Sequence, residues 1–200
     1  MFISVEGIDG AGKSTHVGWL ADFLRAQGKT VTVTREPGGT PLGEQLRTLL
    51  LTQDMAADTE LLLMFAARSE HIQQVIRPAL TRGEWVLTDR FTDASYAYQC
   101  GGRGLADTRV RTLEQWVQHG LQPDVTLLFD VECSTARRRL ATHTDLDRFE
   151  QEKRPFFERV RDEYMRRAAS EPQRIYIINS DRSLDEIRAD ITQIVMPEFK

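Results

Sequence analysis

The sequence predicts an α/β fold: a three-layer α/β/α sandwich around a five-stranded parallel sheet. Three observations predict it. Short apolar runs containing β-branched residues recur at 2–5, 30–34, 84–88, 125–129 and 174–178, with the length and composition of strands. Helical spacing of apolar residues fills the intervals, and strand–helix–strand order gives parallel pairs with right-handed crossovers. The first strand also runs straight into a glycine-rich loop that opens a helix.

Taken in order, residues 2–5 (FISV) are the first strand. From 14 to 27, Val17, Leu20, Ala21 and Leu24 recur at helical spacing, and Gly28 ends that helix. Residues 30–34 (TVTVT) alternate as a second strand, and 36–40 (EPGGT) form a loop. Leu42, Leu46, Leu49 and Leu50 mark a short helix. Asp58 or Thr59 is expected to cap a longer one, whose apolar face includes Leu62, Phe65, Ile72, Val75, Ile76 and Leu80. Residues 84–88 (EWVLT) are the third strand, ending at Asp89-Arg90. A helix over 92–99 is expected to be broken by 100–104 (CGGRG). A helix over 108–119 precedes the fourth strand, 125–129 (VTLLF), which ends at Asp130. A helix over 134–141, a helix over 152–169, a strand over 174–178 and a helix over 184–195 complete the chain. The polar, charged stretch at about 142–153 reads as a short lid within a single domain spanning 1–200.

Composition narrows the class. Apolar content of 40% and charged content of 28% fit a soluble globular domain. A net charge of −4 gives no general reason to expect nucleic-acid binding. No apolar run approaches membrane-spanning length, and the N-terminus shows no leader pattern. Cys100 and Cys133 have no metal-ligand spacing. They predict a reducing, cytoplasmic setting, with a disulfide as the alternative.

The chemistry starts at the first loop. Gly7-Ile8-Asp9-Gly10-Ala11-Gly12-Lys13-Ser14 matches G-x-x-x-x-G-K-[ST] at every fixed position. This is the signature of the P-loop NTPase fold when a strand enters and a helix leaves. Glycines let backbone N–H groups converge on phosphate oxygens, and the helix directs its positive end at the anion. Lys13 is expected to reach the β- and γ-phosphates, with Ser14 on Mg²⁺ and the loop through Thr15 around ATP. A glycine-rich turn that binds nothing is the plain alternative, and the agreement of pattern and context argues against it.

Ligands of an open parallel sheet sit beyond the carboxyl ends of its strands. Asp9, Arg35-Glu36 and Asp89-Arg90 all fall there, although ordinary helix capping and solvated loops would also place charges in such positions. Asp89, after an apolar strand, resembles the acid that holds Mg²⁺ through water, and Asp130 is a weaker candidate. Arg47, Arg68, Arg90 and Arg103 lie in nearby segments, where a guanidinium grips a phosphate or carbonyl edge. Arg148, in the lid stretch, is placed to stabilise the transferred phosphoryl. The run Arg137-Arg138-Arg139 reads as a solvated helix face, with one member packing on a nucleotide base as the alternative.

These residues carry a specific resemblance. EGIDGAGKST at 6–15, TREPGGTPLGEQLRTLLL at 34–51, LLLMFAARSEH at 61–71, VLTDRFTDASYAYQ at 86–99, GRG at 102–104 and LDRFEQE at 146–152 resemble the bacterial thymidylate kinase family over almost the full length. The resemblance implies transfer of the γ-phosphoryl of ATP to the 5′-phosphate of dTMP, giving dTDP and ADP with Mg²⁺. It implies that Arg47 and Arg90 bind the acceptor phosphate and that Asp89 organises the metal. Asp9 would meet the sugar 3′-hydroxyl or the metal. Arg68 would donate to the thymine carbonyl edge, with Ser95 and Gln99 opposite, and Tyr98 would exclude a ribose hydroxyl. A homodimer is typical of the family. Lys13, Asp89, Arg90 and Arg148 would be the catalytic set.

Three departures matter. Some members carry an arginine in the loop where this chain has Gly10, which moves the basic group to Arg148 in the lid. The base-stacking Phe of many members lies four residues before the helix arginine. Here that position is Met64, so either Phe65 stacks on thymine or Phe65 is core and Met64 touches the base. Cys100 replaces a common glycine. Two other readings compete: a deoxynucleoside kinase using Glu36 as base, and a P-loop regulatory ATPase with no small-molecule acceptor.

Overall fold

In the computed structural model, which describes residues 1–141 and 147–199, the strands are β1 (Phe2–Glu6), β2 (Val31–Arg35), β3 (Trp85–Asp89), β4 (Val125–Asp130) and β5 (Ile175–Asn179). They form one parallel sheet ordered β2-β3-β1-β4-β5. Helices α1 (Lys13–Ala26), α2 (Pro41–Thr52), α3 (Ala57–His71), α4 (Arg77–Thr81), α5 (Thr92–Ser95), α6 (Asp107–Gln118), α7 (Cys133–Leu140), α8 (Arg154–Ser170) and α9 (Leu184–Val195) connect them. The chain leaves β1 in the centre, crosses to β2 at the edge and returns to β3. It then passes to β4 on the other side of β1. The loop after β1 therefore lies at the switch point where such sheets bind ligands. The register pairs Val5 with both Asp89 and Leu127, so β1 and β3 end nearly level while β4 runs on to Asp130.

The central strands are buried on both faces, as parallel strands flanked by helices must be. The edge strand β2 is half-exposed, with Val33 and Arg35 its exposed positions. Inside the sheet, Ser4 Oγ and Thr126 Oγ1 share a hydrogen bond of 2.7 Å.

Two helices differ from expectation. The residue before α3 is Ala56, with no side-chain cap. Asp58 lies in the first turn and pairs with Arg109, so neither it nor Thr59 is the cap. Leu62, assigned to the apolar face, is 56% exposed, and Leu61 is buried instead. The helix continues through a π-helical turn (Ile72–Ile76) into α4. That wide turn precedes Pro78, which cannot donate a hydrogen bond and would crowd the carbonyl four residues earlier, at Gln74 inside the turn.

The helix after β3 is not broken at Cys100. It widens into a π-helical stretch, Tyr96–Gly102. Gly102 serves close approach: a Cβ there would lie 2.5 Å from the Phe156 ring of α8. Ala94 and Ser95 of α5 share one surface with Tyr98 and Gln99 of the widened stretch. A buried ion cluster ties this segment to α8 and the sheet. Asp93, 2% exposed, accepts from Arg167 Nη2 at 2.9 Å and Arg174 Nη1 at 2.7 Å. Arg174 also donates to Thr126 Oγ1. Of the expected lid, 142–146 lie outside the described residues. The remainder, 147–153, turns back before α8.

Candidate active site

The phosphate loop takes its shape from glycine. Gly10 sits at φ +80°, and a Cβ there would stand 2.4 Å from the Ala136 carbonyl oxygen of α7. No L side chain fits without moving that backbone. An arginine at position 10 is thus excluded by packing as well as absent from the sequence. Arg139 closes the same corner: its guanidinium donates to the Gly10 carbonyl at 3.4 Å and the Ser180 carbonyl at 3.1 Å. Arg137 and Arg138 are exposed and line a second cleft with Ile8, Asp9, Glu150 and Gln151.

Lys13 is buried, and its ammonium bridges the carbonyls of Gly7 (3.0 Å) and Ile8 (2.9 Å). Burial, with Arg90 nearby, pushes its pKa down to about 8. Ser14 and Thr15 are exposed on the first turn of α1. Asp89 Oδ1, at the end of β3, is buried without a hydrogen-bond partner among the described residues. An orphaned carboxylate oxygen suits a hard cation or the water bound to it. Among the described residues no group of three or more His, Cys, Asp or Glu could hold a metal. Mg²⁺ does not need one, because it takes one or two protein ligands plus water and phosphate oxygens. Ser14 and Asp89 fit that donor set.

Beside the loop lies a network centred on Arg90. This residue occupies the left-handed region at φ +72°, a strained conformation for a non-glycine residue. Its Nη2 donates to Asp9 Oδ1 (2.5 Å) and Tyr98 Oη (2.9 Å), and its Nη1 to Tyr164 Oη (3.3 Å). Tyr98 donates to Asp9 Oδ2 (2.7 Å), and Tyr164 to Glu6 Oε2 (2.8 Å). Glu6 Oε1 accepts from the Phe91 amide at 2.6 Å, which holds the strained turn shut. Burial favours neutral Asp9, but the charges of Arg90 and Lys13 outweigh it and keep the carboxyl below its usual range.

Glu6 behaves oppositely. Burial, helped by Asp93, pushes its pKa up to about 8 from 4.5. The folded state then holds a proton that the unfolded chain has lost. Stability from this group is complete below the unfolded value and disappears as pH rises through about 8. Glu6→Gln is expected to remove that slope, so thermal melting of wild type should fall relative to the variant between pH 5 and 8. Parallel curves would disprove the assignment. Lys13, with its lowered pKa, acts only above about pH 8.

A cleft of about 610 Å³, including its open mouth, extends from this network. Its polar lining includes Asp9, Arg47 and Arg90, and also Arg68, Ser95 and Gln99. Met64, Phe91, Tyr98 and Phe149 give it apolar walls. Arg47 Nη1 donates to the Pro37 carbonyl at 2.9 Å. Arg68, 3% exposed, donates from Nε to Glu36 (2.7 Å) and from Nη2 to Ser95 Oγ (3.0 Å) and the Phe91 carbonyl (3.1 Å). Its Nη1 is buried without a hydrogen-bond partner among the described residues. Glu36 also accepts from His71 Nδ1 at 2.9 Å. Burial raises its pKa, but Arg68 and His71 overcome this and keep it ionised below the usual glutamate range.

Two expected residues are elsewhere. Phe65 does not face the cleft. It is buried among Leu61, Tyr96 and Val110, with the Arg68 guanidinium 4.6 Å over its ring, and Met64 takes the cleft position. Arg148 lines neither cleft. Its Nη2 donates to Glu60 Oε2 at 2.7 Å and its Nε to the Leu50 carbonyl at 3.0 Å. Asp130 is gripped by Arg161 at 2.6 and 2.9 Å, a structural pair. Arg35 pairs with Glu44 on the surface. Sequence reasoning missed Glu6, Glu60, Asp147, Phe149 and Tyr164. A glutamate ending an apolar strand just before the loop was a usable signal for Glu6. Tyr164 carried none, because its partners Glu6 and Arg90 are distant in sequence.

Residues 5–191 match the family model described as thymidylate kinase. A thymidylate kinase from Cupriavidus metallidurans is 64% identical over 97% of this chain and 96% of the relative. The chain belongs to the thymidylate kinase family. A second family relative, from Thiobacillus denitrificans, is 59% identical over 97% and 95% of the two chains. The crystal structure of thymidylate kinase from Ehrlichia chaffeensis superposes with a TM-score of 0.80 at 32% identity, covering 98% of each chain. The family's α/β P-loop NTPase fold, with five parallel strands, is the fold seen here.

Proposed function

We propose that this chain phosphorylates dTMP to dTDP with ATP. The observation that carries the reading is Arg68 Nη1, a buried donor without a partner among the described residues, in a cleft that Arg47 and Arg90 also line. A nucleoside monophosphate satisfies both, with Arg68, Ser95 and Gln99 forming its base end. Its phosphate neutralises the two arginines, and a base carbonyl accepts from Arg68, with Ser95 and Gln99 beside it. Tyr98, its hydroxyl already engaged by Asp9 and Arg90, packs against the sugar and leaves no room for a ribose 2′-hydroxyl. Asp9 lines both clefts and so stands between acceptor and donor.

ATP lies with its β- and γ-phosphates on the loop from Gly7 to Thr15, and Lys13 leaves the Gly7 and Ile8 carbonyls to meet them. An acceptor phosphate oxygen attacks Pγ, the bond from Pγ to the β,γ-bridging oxygen breaks, and ADP departs. No general base is needed, because the acceptor oxygen is already anionic. Positioning and charge neutralisation by Lys13, Arg47 and Arg90 lower the barrier. Ser14 and Asp89 would hold Mg²⁺, which neutralises phosphate charge when bound. Arg148 supplies charge at the transferred phosphoryl after leaving Glu60.

Arg68→Lys should raise the KM for dTMP about tenfold with a smaller effect on kcat, because a point charge cannot replace a fork held by Glu36 and Ser95. An unchanged KM would remove Arg68 from base recognition. ATP-dependent conversion of dTMP against thymidine tests the function itself. Product from thymidine alone would favour the nucleoside kinase reading, against which stands Glu36, already held by Arg68 and His71. Thermal melting unmoved by saturating dTMP would favour a regulatory ATPase.

We read residues 1–200 as one domain, cytoplasmic, acting without nucleic acid or membrane. Among the described residues no helix is long and apolar enough to cross a membrane. A homodimer is supported by exposed Leu42 and Leu49 on α2 and Leu62 on α3, and sedimentation would test it.

A further inference from the structure

We propose that Glu60 is a positioning residue that holds Arg148 away from the phosphates until the acceptor fills the base end of the cleft. The inference rests on the reading of Arg148 as the charge that acts at the transferred phosphoryl. Glu60 is fully buried in the first turn of α3. Its Oε2 accepts from Arg148 Nη2 at 2.7 Å, and its Oε1 accepts from Gln99 Nε2 at 2.9 Å. Arg103 Nε donates to both oxygens, at 3.3 and 3.2 Å. The carboxylate that holds Arg148 is therefore one hydrogen bond from a residue lining the base end.

The rest of Arg148 is held just as firmly. Its Nε donates to the Leu50 carbonyl and its backbone amide to the Leu51 carbonyl, in the last turn of α2. Carbonyls in that turn lack intrahelical partners, so a guanidinium is a favourable cap there. Arg47 lies on the same helix and faces the acceptor phosphate position. One resting place for Arg148 thus touches the helix of the phosphate-binding arginine and the carboxylate shared with Gln99.

Release is feasible because Arg103 stays. It also pairs with Glu152 and lies 4.8 Å over the Phe156 ring. A buried carboxylate stripped of every cation would oppose release, whereas Glu60 keeps one. Gln99 engaging a base changes the hydrogen bonding of Glu60 and weakens its hold on Arg148. Without an acceptor the arginine remains parked. That suppresses the side reaction in which water attacks Pγ, the bond to the β,γ-bridging oxygen breaks, and ADP, orthophosphate and a proton are released.

The test compares acceptor-free ATP hydrolysis and dTDP formation in wild type, Glu60→Gln, Glu60→Asp, Arg148→Ala and the double variants. Melting curves verify folding, and Glu60→Asp keeps a counterion for Arg103 if Glu60→Gln does not fold. Both Glu60 variants are expected to raise acceptor-free hydrolysis about tenfold and to keep kcat with dTMP within about threefold of wild type. The gain should vanish in the Arg148→Ala background. Unchanged hydrolysis, or an equal gain without Arg148, would overturn the proposal. So would a kcat with dTMP as low as that of Arg148→Ala, which would mean that Glu60 holds Arg148 in its working position. A wild-type kcat in Arg148→Ala would instead overturn the reading of Arg148 itself.

Discussion

Arg148→Ala is expected to lower kcat for dTDP formation by about three orders of magnitude, the usual contribution of an arginine at a transferring phosphoryl group. The KM for dTMP should move by less than about threefold. The split follows from position. Arg148 contributes nothing to either cleft in the resting molecule, where Glu60 and Leu50 hold it. Its removal therefore leaves the dTMP contacts in place and deletes a charge needed only as the phosphoryl transfers. Gly10 sharpens the case, because the Ala136 carbonyl bars any side chain there. The variant also loses the Glu60 ion pair, so steady-state rates should be measured well below its melting temperature. Equal losses in kcat and in dTMP affinity would identify Arg148 as a ground-state binder.

Asp93→Ala is expected to have the largest effect on stability, a loss of about 3–5 kcal/mol, typical of breaking a buried ion pair from one side. Urea unfolding at neutral pH would measure it. Asp93 is 2% exposed and is the shared partner of Arg167 and Arg174, whose other carboxylate partner is Glu171, with Thr126 Oγ1 also accepting from Arg174 and the Tyr96 ring beneath Arg167. Burial favours the neutral acid, but hydrogen bonds and charge from the two arginines reverse this and hold its pKa below the usual aspartate range. Its stabilisation is therefore present above that range and disappears as pH falls through it, so wild type and variant should converge in acid. A loss below about 1 kcal/mol at neutral pH would mean that water already screens the cluster. The same substitution should loosen the segment carrying Ser95, Tyr98 and Gln99, because Asp93 ties it to α8 and the sheet.

The base end of the cleft shows where linear reading stops. Met64 and Phe65 are adjacent, and helical spacing alone puts both near one face of α3. Packing against Leu61, Tyr96 and Val110 decided that Phe65 is core and Met64 faces the ligand. The run 100–104 reads as a helix breaker because glycine is poor in helices. Gly102 is instead the contact point with α8, a role visible only once Phe156 is placed beside it.

By itself the sequence determined the five strands, their parallel arrangement and the phosphate loop. Each is encoded locally, by β-branched runs, helical spacing and glycines at fixed intervals. It also carried Asp9, Arg47, Arg68, Arg90, Tyr98 and Gln99 in family motifs, and all six line the cleft. Only the tertiary structure decided how they are held. Glu6 and Tyr164 lock the strained turn at Arg90, Glu36 and His71 fix Arg68, and Glu60 occupies Arg148. Several of these partners lie dozens of residues apart, on elements that meet only when the sheet closes at its switch point. A buried charge is tolerated only beside its counter-charge, and local periodicity says nothing about which distant residue supplies it.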